Sequence, residues 1–500
     1  MEFSISIICL LIAWISVHYL RFFLKRSPLN PKMLPPGPFP FPIIGNISKL
    51  GSKPHESLAD LAKAYGPVFA LELGCLTTVV ISSVAMAKEV LQKHDVSFSN
   101  RMVIDATTAL DHHQSSLVFL PPATKWRNMR RVCNSYVFSN NRLEASRKHR
   151  KRKVHQLLSH VKHCCKAGTT LNIGQVAFDT TLNILSNSFF SIDLADLRTN
   201  SGRGFKETML GMMVVSGTPN IADFFPVLKV IDPQRIRHRT GIFFQKMITT
   251  FDAIIDERLQ LRKHNNFVEN KDVLDDLLCI VQGNNNELEL SDLPHLLLDL
   301  FVAGTDTTSS TIEWAMTELL RNPKKLKKSQ AELEEMLGRH NLMEEEDISR
   351  LPYLRAIIKE TLRLHPPVPF LVPRRVDKDV ELCGYIVPKD AQVLVNVWAM
   401  GRDPSIWENA NLFEPERFLE SHIDFKGNYF ELIPFGAGRR MCPGLPLASR
   451  ILHLILGSLI QSFNWKLDGE IAPNNMDMND KFGFTMHKAQ SLIAIPSHIF

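Results

Sequence analysis

The stretch that decides the fold is Phe435-Gly436-Ala437-Gly438-Arg439-Arg440-Met441-Cys442-Pro443-Gly444, which precedes the apolar segment 445–459. Its only thiol, Cys442, has no second cysteine or histidine at chelate spacing, whereas zinc takes three or four such ligands. A lone thiolate in a glycine-rich loop ahead of a buried helix suits one axial bond to a haem iron, because the macrocycle supplies the other ligands. The competing interpretation, an inert buried cysteine, leaves the surrounding glycines without a backbone role.

The spacing Phe-x-x-Gly-x-Arg-x-Cys-x-Gly is carried here by Phe435, Gly438, Arg440, Cys442 and Gly444. It resembles the haem-binding signature of the cytochromes P-450. The resemblance implies that Cys442 is the axial ligand of haem b and that the other four residues help to hold the cofactor. It also implies a mainly α fold, the cytochrome P-450 fold, in which a helical haem domain carries a minor β region.

The size and charge of the chain set outer limits on its class. It has 500 residues, 45% of them hydrophobic, and can therefore bury a large core. Its body contains no flexible linker, repeat or low-complexity tract, so we expect one large domain. The net charge of +6 is small and diffuse, which argues against nucleic acid as a partner. The eight cysteines suggest no disulfide framework, as is usual on a reducing cytosolic face.

Residues 1–24 are almost continuously apolar and long enough to cross a bilayer as a helix. Arg21, Lys25 and Arg26 lie at the C-terminal end of this segment, whereas only Glu2 is charged at its start. This asymmetry predicts a single-pass anchor with the catalytic body in the cytosol, bound to membrane lipid. The alternative is a cleaved signal peptide, but a basic start and a small-residue cleavage site are not evident.

Residues 25–45 are first basic and then rich in proline, which favours a semi-rigid polyproline segment. Beside an anchor, we interpret this segment as a hinge that orients the catalytic domain, 46–500, on the membrane. A plain linker and a ligand for an SH3-type domain are the alternatives. The arrangement resembles the hinge of microsomal cytochromes P-450, and this resemblance implies the endoplasmic reticulum as the location.

Residues 68–82 alternate between apolar and polar side chains and are rich in β-branched types, which predicts an antiparallel hairpin. Residues 380–386 and 392–396 resemble two further short strands. From Val84 onward helical spacing dominates. The sequence therefore predicts a mostly helical fold with a small β region.

Residues 291–321 form a long helix candidate, with Ser291 as its N-cap. Its middle, 303–310, consists mainly of weak helix formers whose side chains can bond the backbone, which predicts a kink or bulge and room for a small molecule. An exposed polar stretch is the alternative. This run resembles the oxygen-activating segment of the family, which implies that Thr307 positions water and a proton while Asp306 relays protons from solvent.

Glu360 and Arg363 lie three residues apart on a candidate helix and can pair on one face. The pattern Glu-x-x-Arg alone is weak evidence for a functional site. A second arginine, Arg417, follows within the sequence Pro-Glu-Arg-Phe and strengthens it. The resemblance implies that these three residues form a buried structural triad behind the haem.

Trp126 and Arg130 match the Trp-x-x-x-Arg pattern of the family. The resemblance implies that they bind haem propionates together with Arg374 and Arg440, and the planar guanidinium suits a carboxylate. The densest basic run, 147–153, is interpreted as a solvated helix face, with docking of an acidic electron donor as the alternative.

Several longer stretches, such as 98–101 and 401–407, resemble the plant microsomal A-type branch of geraniol 8-hydroxylases and ferruginol-type diterpene oxidases. This implies a monooxygenase that uses O2 and inserts one oxygen atom into a C–H bond of a small hydrophobic metabolite, a monoterpenol such as geraniol first. No nicotinamide or flavin motif is visible, so electrons must come from a separate NADPH-cytochrome P-450 reductase, with cytochrome b5 as a second candidate donor. The expected substrate-pocket residues are Ile104, Leu117, Leu300, Ala303, Val368, Phe370, Leu371, Val372, Phe482 and Phe484.

Other functions stay open. A diterpene oxidase or a phenolic or alkaloid hydroxylase would use the same site. A haem-thiolate isomerase or dehydratase would need neither O2 nor a reductase, and Asp306 and Thr307 argue against it. A non-catalytic haem sensor or membrane scaffold is the remaining class; a haem-thiolate spectrum without turnover would favour it.

Overall fold

The computed structural model describes residues 34–195, 203–263, 272–283, 287–338 and 341–499, so the predicted membrane anchor lies outside it. The described chain divides into two compact units. The first contains the described residues up to Met102 together with Asn220–Gln234 and Phe370–Met400. The second contains Val103–Pro219, Arg235–Pro369 and the described residues from Gly401 on. The proposed boundaries of anchor, hinge and catalytic domain stay predictions.

The described residues are mainly helical, as the sequence predicted. Their α-helices are α1 (Pro54–Tyr65), α2 (Val84–Lys88), α3 (Thr124–Val132), α4 (Asn140–Ala167), α5 (Ile173–Phe190), α6 (Arg203–Ser216), α7 (Ile221–Phe224), α8 (Ile236–Arg262), α9 (Val273–Gln282), α10 (Leu293–Arg321), α11 (Pro323–Leu337), α12 (Pro352–Leu364), α13 (Val397–Met400) and α14 (Leu445–Ser462). The second unit holds most of them, including the long helices α4, α5, α8, α10 and α14.

The β structure is small and is divided between the two units. In the first unit a five-stranded sheet has the order β1-β2-β8-β5-β3, and β6 pairs with β7. In the second unit β12 lies between β4 and β9, and β10 pairs with β11. The strands are β1 (Val68–Leu73), β2 (Leu76–Ile81), β3 (Asn100–Arg101), β4 (Leu171–Asn172), β5 (Arg374–Arg375), β6 (Val380–Leu382), β7 (Tyr385–Val387), β8 (Gln392–Val395), β9 (Phe463–Leu467), β10 (Asp480–Lys481), β11 (His487–Lys488) and β12 (Ile493–His498).

The predicted hairpin at 68–82 is confirmed, because β1 and β2 pair antiparallel from Val68 opposite Ile81 to Leu73 opposite Leu76. The candidate strand at 380–386 is instead a two-stranded hairpin, β6–β7, because Gly384 takes a positive φ of 81° and turns the chain within it. The strands after residue 462 were not predicted, although β9 alternates between apolar and polar residues and buries every second side chain at its start.

Helix α10 forms the centre of the second unit, where it packs against α5, α12 and α14. It starts just before Pro294 and ends at Arg321, because Pro323 cannot continue it. The expected kink or bulge in its middle is wrong: the helix is unbroken from Leu293 to Arg321. The hydroxyls of Thr307, Thr308 and Thr311 donate to carbonyls four residues earlier, so they bond inside the helix.

Among the described residues, one helix is long and apolar enough to cross a membrane, namely α14. It is mostly buried and packs against α10, α11, α12 and α4. We therefore interpret α14 as the core helix that follows the Cys442 loop, as expected from the sequence.

In the first unit, the described part of the predicted hinge packs along β1. The Ala70 N–H donates to the Pro36 carbonyl at 2.8 Å, and a Cβ on Gly37 would lie 1.9 Å from the Ala70 oxygen. Asn46, directly after this segment, is buried and accepts the Glu72 N–H through Oδ1 at 2.9 Å. Its side chain therefore fastens the segment to the sheet edge.

Candidate functional site

The Cys442 loop is a tight backbone turn ahead of α14. Gly436 and Gly438 take positive φ angles of 71° and 69°, which explains why glycine occupies both positions. The Cys442 N–H closes the loop on the Phe435 carbonyl at 2.9 Å. Gly444, in contrast, has an ordinary helical φ of −79°, and an added Cβ would meet the Cys442 sulfur at an unstrained 3.8 Å. The turn itself therefore needs two of the three glycines.

The environment of Cys442 suits a thiolate ligand. Burial raises the pKa of its thiol, while hydrogen bonds from the Gly444 and Leu445 N–H groups and the charge of Arg130 act to lower that pKa. N–H donors at the start of a helix stabilise negative charge on sulfur. The loop therefore offers what an axial thiolate of haem requires: one sulfur, backbone donors and a nearby cation.

Three predicted haem-binding residues meet around this loop in the second unit. The Arg130 guanidinium donates to the Met441 carbonyl, next to Cys442. Arg440 lies over the Trp126 ring at 4.3 Å and donates to the Leu120 carbonyl. Two guanidinium groups beside a buried thiol fit the carboxylates of a haem.

Arg374 belongs to the first unit, where it begins β5. Its guanidinium is buried and lies 3.4 Å from Asp95, and it donates to the Phe98 carbonyl at 3.1 Å. Burial lowers the pKa of Arg374 to about 10, which the Asp95 carboxylate partly opposes.

The middle of α10 presents an accessible stripe in an otherwise buried helix. Ala303 is exposed and Gly304 and Thr307 are half-buried, whereas the adjacent residues are buried. These positions share one face at the i, i+1, i+4 spacing. Such a stripe of small residues fits a flat cofactor and a small substrate lying along the helix.

Asp306 points away from this stripe and is 2% exposed. Its Oδ2 lies 3.1 Å from Nε2 of His487, on β11. His487 was not predicted as a partner of Asp306, because it is 181 residues away along the chain.

The predicted triad is assembled in the second unit. Arg363 and Glu360 form a buried ion pair on α12, and Arg417 reaches the same carboxylate at 3.1 Å. Arg363 and Glu360 are fully buried, whereas Arg417 is 11% exposed.

Two of the expected pocket residues in the second unit, Ile104 and Phe484, lie near the end of α6. Ile104 packs onto a small cluster with Val215 and Ile236, so the loop before α3 meets the end of α6. At Gly217, directly after α6, an added Cβ would lie 2.3 Å from the Phe484 backbone nitrogen. These contacts place two expected pocket residues, Ile104 and Phe484, near the C-terminal end of α6.

The remaining pocket candidates differ in burial. In the second unit Leu117 and Leu300 are buried, Val368 and Phe482 are half-buried, and Phe484 is 41% exposed. In the first unit Phe370 is buried, while Leu371 and Val372 are half-buried. Leu371 has a positive φ of 54°, a strained conformation for a leucine.

A buried polar network beside the Ile104–Leu117 segment was missed by the sequence reasoning. The ring of His112 lies between His295 Nδ1 at 3.0 Å and Asp299 Oδ1 at 3.1 Å. Ser116 donates to the same carboxylate at 2.8 Å. Burial and the adjacent His112 lower the pKa of His295. One signal could have revealed this network: Asp299 is a single carboxylate within an apolar run of a buried helix.

The basic run 147–153 is partly neutralised by ion pairs within the second unit. Arg150 is completely buried and binds Glu345 at 2.6 Å, and Lys153 is 3% exposed and binds Asp193 at 2.5 Å. Two more cations of the run pair with neighbouring glutamates. The interpretation as a solvated face is therefore wrong for Arg150 and Lys153, whereas Lys148, Lys151 and Arg152 are exposed, and docking at this run stays a prediction.

Comparison with known proteins agrees with this site. The sequence profile of the cytochrome P-450 family matches residues 35–493. Geraniol 8-hydroxylase of Catharanthus roseus is 51% identical over 497 residues, which cover 99% of this chain and 100% of the relative. Geraniol 8-hydroxylase of Swertia mussotii is 52% identical over 476 residues, 95% of each chain. Drimenol monooxygenase of Persicaria hydropiper is 51% identical over 499 residues, 100% of this chain and 98% of the relative. The chain belongs to the cytochrome P-450 family, whose cofactor is haem.

Proposed function

We propose that this protein is a haem-thiolate monooxygenase that hydroxylates a small terpenoid alcohol, with geraniol as the first candidate. The observation that carries the proposal is the identity of about one half with two geraniol 8-hydroxylases along almost the whole chain. The apolar character of the candidate pocket residues supports a hydrophobic substrate. The net reaction consumes the substrate, O2, NADPH and a proton, and it yields the alcohol, water and NADP+.

In this proposal Cys442 binds the haem iron through its sulfur, and the bound haem supplies the activation of O2. The protein decides which C–H bond lies at the reaction centre and controls the supply of protons. Thr307 lies on the accessible stripe of α10, where its hydroxyl can hold water. Asp306, on the adjacent buried face, relays protons towards the site.

The residues around the loop hold the cofactor. Arg130 and Arg440 carry the charges that bind propionates, and Trp126 orients Arg440 by stacking. We assign propionate binding to Arg374 as well, because this residue matches a propionate-binding position of the family. The triad of Glu360, Arg363 and Arg417 stabilises the fold and is not placed in the chemistry.

We infer that electrons come from NADPH through a separate flavoprotein reductase. The apolar segment 1–24 and the cations after it support a single-pass anchor in the endoplasmic reticulum membrane with a cytosolic catalytic domain. Cytochrome b5 is a second candidate donor.

A second candidate substrate is drimenol, because drimenol monooxygenase is as similar to this chain as the Catharanthus geraniol 8-hydroxylase is. Geraniol and drimenol are both terpenoid alcohols, so each has an apolar carbon skeleton and one hydroxyl group. The choice between them depends on the shape of the pocket rather than on the chemistry of the haem.

The test is incubation of the full-length protein in membranes with reductase, NADPH and labelled O2, with geraniol, nerol, drimenol and a diterpene olefin as separate substrates. Mass spectrometry follows the NADPH-dependent gain of one labelled oxygen atom. The variant Cys442→Ser is the matched control, since it should yield no product. Hydroxylated geraniol supports the first candidate and hydroxylated drimenol the second. No product from any terpenoid, with an intact haem-thiolate spectrum, overturns the proposal.

A further inference from the structure

The buried Asp306 has one solvent-accessible titratable partner in the described structure, His487. The two side chains meet at 3.1 Å between Oδ2 and Nε2, and they are 2% and 37% exposed, respectively. Asp306 itself is therefore shielded from water, whereas the His487 ring is in contact with solvent. The imidazole therefore lies between solvent and this carboxylate, where it can transfer a proton from one to the other.

The position of His487 is fixed by two hydrogen bonds of the Met486 backbone, directly before β11. Ser310, one helical turn after Asp306, donates to the Met486 carbonyl at 2.8 Å. The Met486 N–H in turn donates to the Pro367 carbonyl at 2.8 Å. Because the residue next to His487 is held to α10 in this way, the imidazole does not depend on an exposed loop for its placement.

We propose that His487 is the proton-uptake residue of this enzyme, which takes protons from solvent and passes them to Asp306. The imidazolium gives its Nε2 proton to Asp306 Oδ2, which leaves a neutral imidazole and a carboxylic acid. The imidazole then regains a proton from water, and no electrons move. His487 acts through Asp306 and is therefore a positioning residue. The inference rests on the proposed function, since monooxygenation consumes protons.

The charges that face His487 favour its protonated form. Burial lowers the pKa of the imidazole, but the hydrogen bond and charge of Asp306, together with the charge of Glu313 on the same helix, raise it above its usual value. Lys481, opposite His487 on β10, lowers the pKa. Lys488, the next residue on β11, donates to a backbone carbonyl. A histidine with a raised pKa remains a proton donor near neutral pH.

The first experiment compares the full-length wild type with His487→Gln, which keeps a hydrogen-bond donor but cannot titrate. Product formed and peroxide released per NADPH are measured between about pH 6 and 9. We expect His487→Gln to lose about tenfold in product per NADPH, less than the ~100-fold or more of a group that transfers the proton directly, because water can partly replace it. The fall in coupling with rising pH, present in the wild type, should be absent.

Lys481→Gln is the matched control on the facing strand. It removes a charge beside His487 but leaves the Asp306 contact, so coupling should be kept and its pH profile should move to higher pH. If His487 had only a structural role in the hairpin, removing the charge of Lys481 would not shift the pH profile of the coupling. The inference is overturned if His487→Gln keeps the coupling and the pH profile of the wild type.

A second readout is independent of turnover. Histidine labelled with carbon-13 allows the titration of His487 to be followed by NMR, with His487→Gln used for assignment. In Asp306→Asn the pKa of His487 should fall, since the carboxylate no longer stabilises the imidazolium; an unchanged value overturns the inference. If the wild type oxidises no terpenoid, the proposed function fails, whereas this titration still decides whether the pair exists.

Discussion

Arg363 forms a two-point ion pair with Glu360, in which Nε lies 2.7 Å from Oε2 and Nη2 lies 2.7 Å from Oε1. Neither side chain is exposed to solvent. The carboxylate also accepts Arg417 Nε at 3.1 Å, and the guanidinium donates to the carbonyls of Ala410 and Leu412. Because each charge has several partners, the pair tolerates full burial.

We therefore expect Arg363→Ala to lose about 3–5 kcal/mol of stability, because the buried Glu360 would keep only Arg417 as its cation and the carbonyls of Ala410 and Leu412 would lose their donor. The reduced carbon monoxide spectrum and the melting temperature measure the loss. The control is Arg375→Ala, which breaks a half-exposed pair with Asp390 and should change stability by less than about 1 kcal/mol. Equal effects of the two variants would contradict a special role for the buried triad.

Thr307→Ala should retain haem but divert electrons to peroxide. The Thr307 hydroxyl donates to the Ala303 carbonyl at 2.7 Å and lies on the accessible stripe of α10, so its removal affects water there. We expect product per NADPH to fall by about tenfold or more. Thr308→Ala is a matched control, since Thr308 makes the same type of bond to Gly304 but is buried. Unchanged coupling in Thr307→Ala would exclude the assigned role.

Gly217→Ala should displace the segment around Phe484. The new methyl group would lie 2.3 Å from a backbone nitrogen, so the chain itself must move, at a cost of about 1–3 kcal/mol. We expect a changed KM or product ratio with haem content maintained. Gly204→Ala, near the start of the helix that precedes Gly217 and with open space around the new Cβ, should leave both unchanged. A KM and product ratio like those of the wild type would separate this segment from the substrate.

Acidification should destabilise the protein partly through His453, which is buried in α14. Burial lowers the pKa of His453 to about 4, from 6.5, despite a hydrogen bond to the Ser449 carbonyl. The unfolded chain therefore binds the proton first, and stability is lost as the pH falls from 6.5 to about 4. This difference corresponds to about 3 kcal/mol.

Melting temperatures measured across that range check this expectation. In His453→Gln the decline towards acid pH should be shallower than in the wild type, whatever the change in absolute stability. His94→Gln, at an exposed position, should keep the slope of the wild type. Identical slopes in His453→Gln and the wild type would contradict a buried neutral histidine.

The features that the sequence predicted well are local. The turn before Cys442 needs glycine at two positions of positive φ, and its thiol stands directly before an apolar helix. Glu360 and Arg363 pair because three-residue spacing places them on one helical face. The hairpin at 68–82 follows from alternation and β-branched residues. In each case neighbours within a few residues determine the geometry.

The sequence by itself thus determined the chemistry of the thiolate site and the mainly helical class. Only the tertiary structure decided that His487 meets Asp306, that Ser116 and His112 share Asp299, and that Arg150 is neutralised. These partners lie between 181 and 195 residues apart. Such pairs depend on which elements pack together, and no local period encodes that choice. A buried charge is stable only once its partner has been brought beside it.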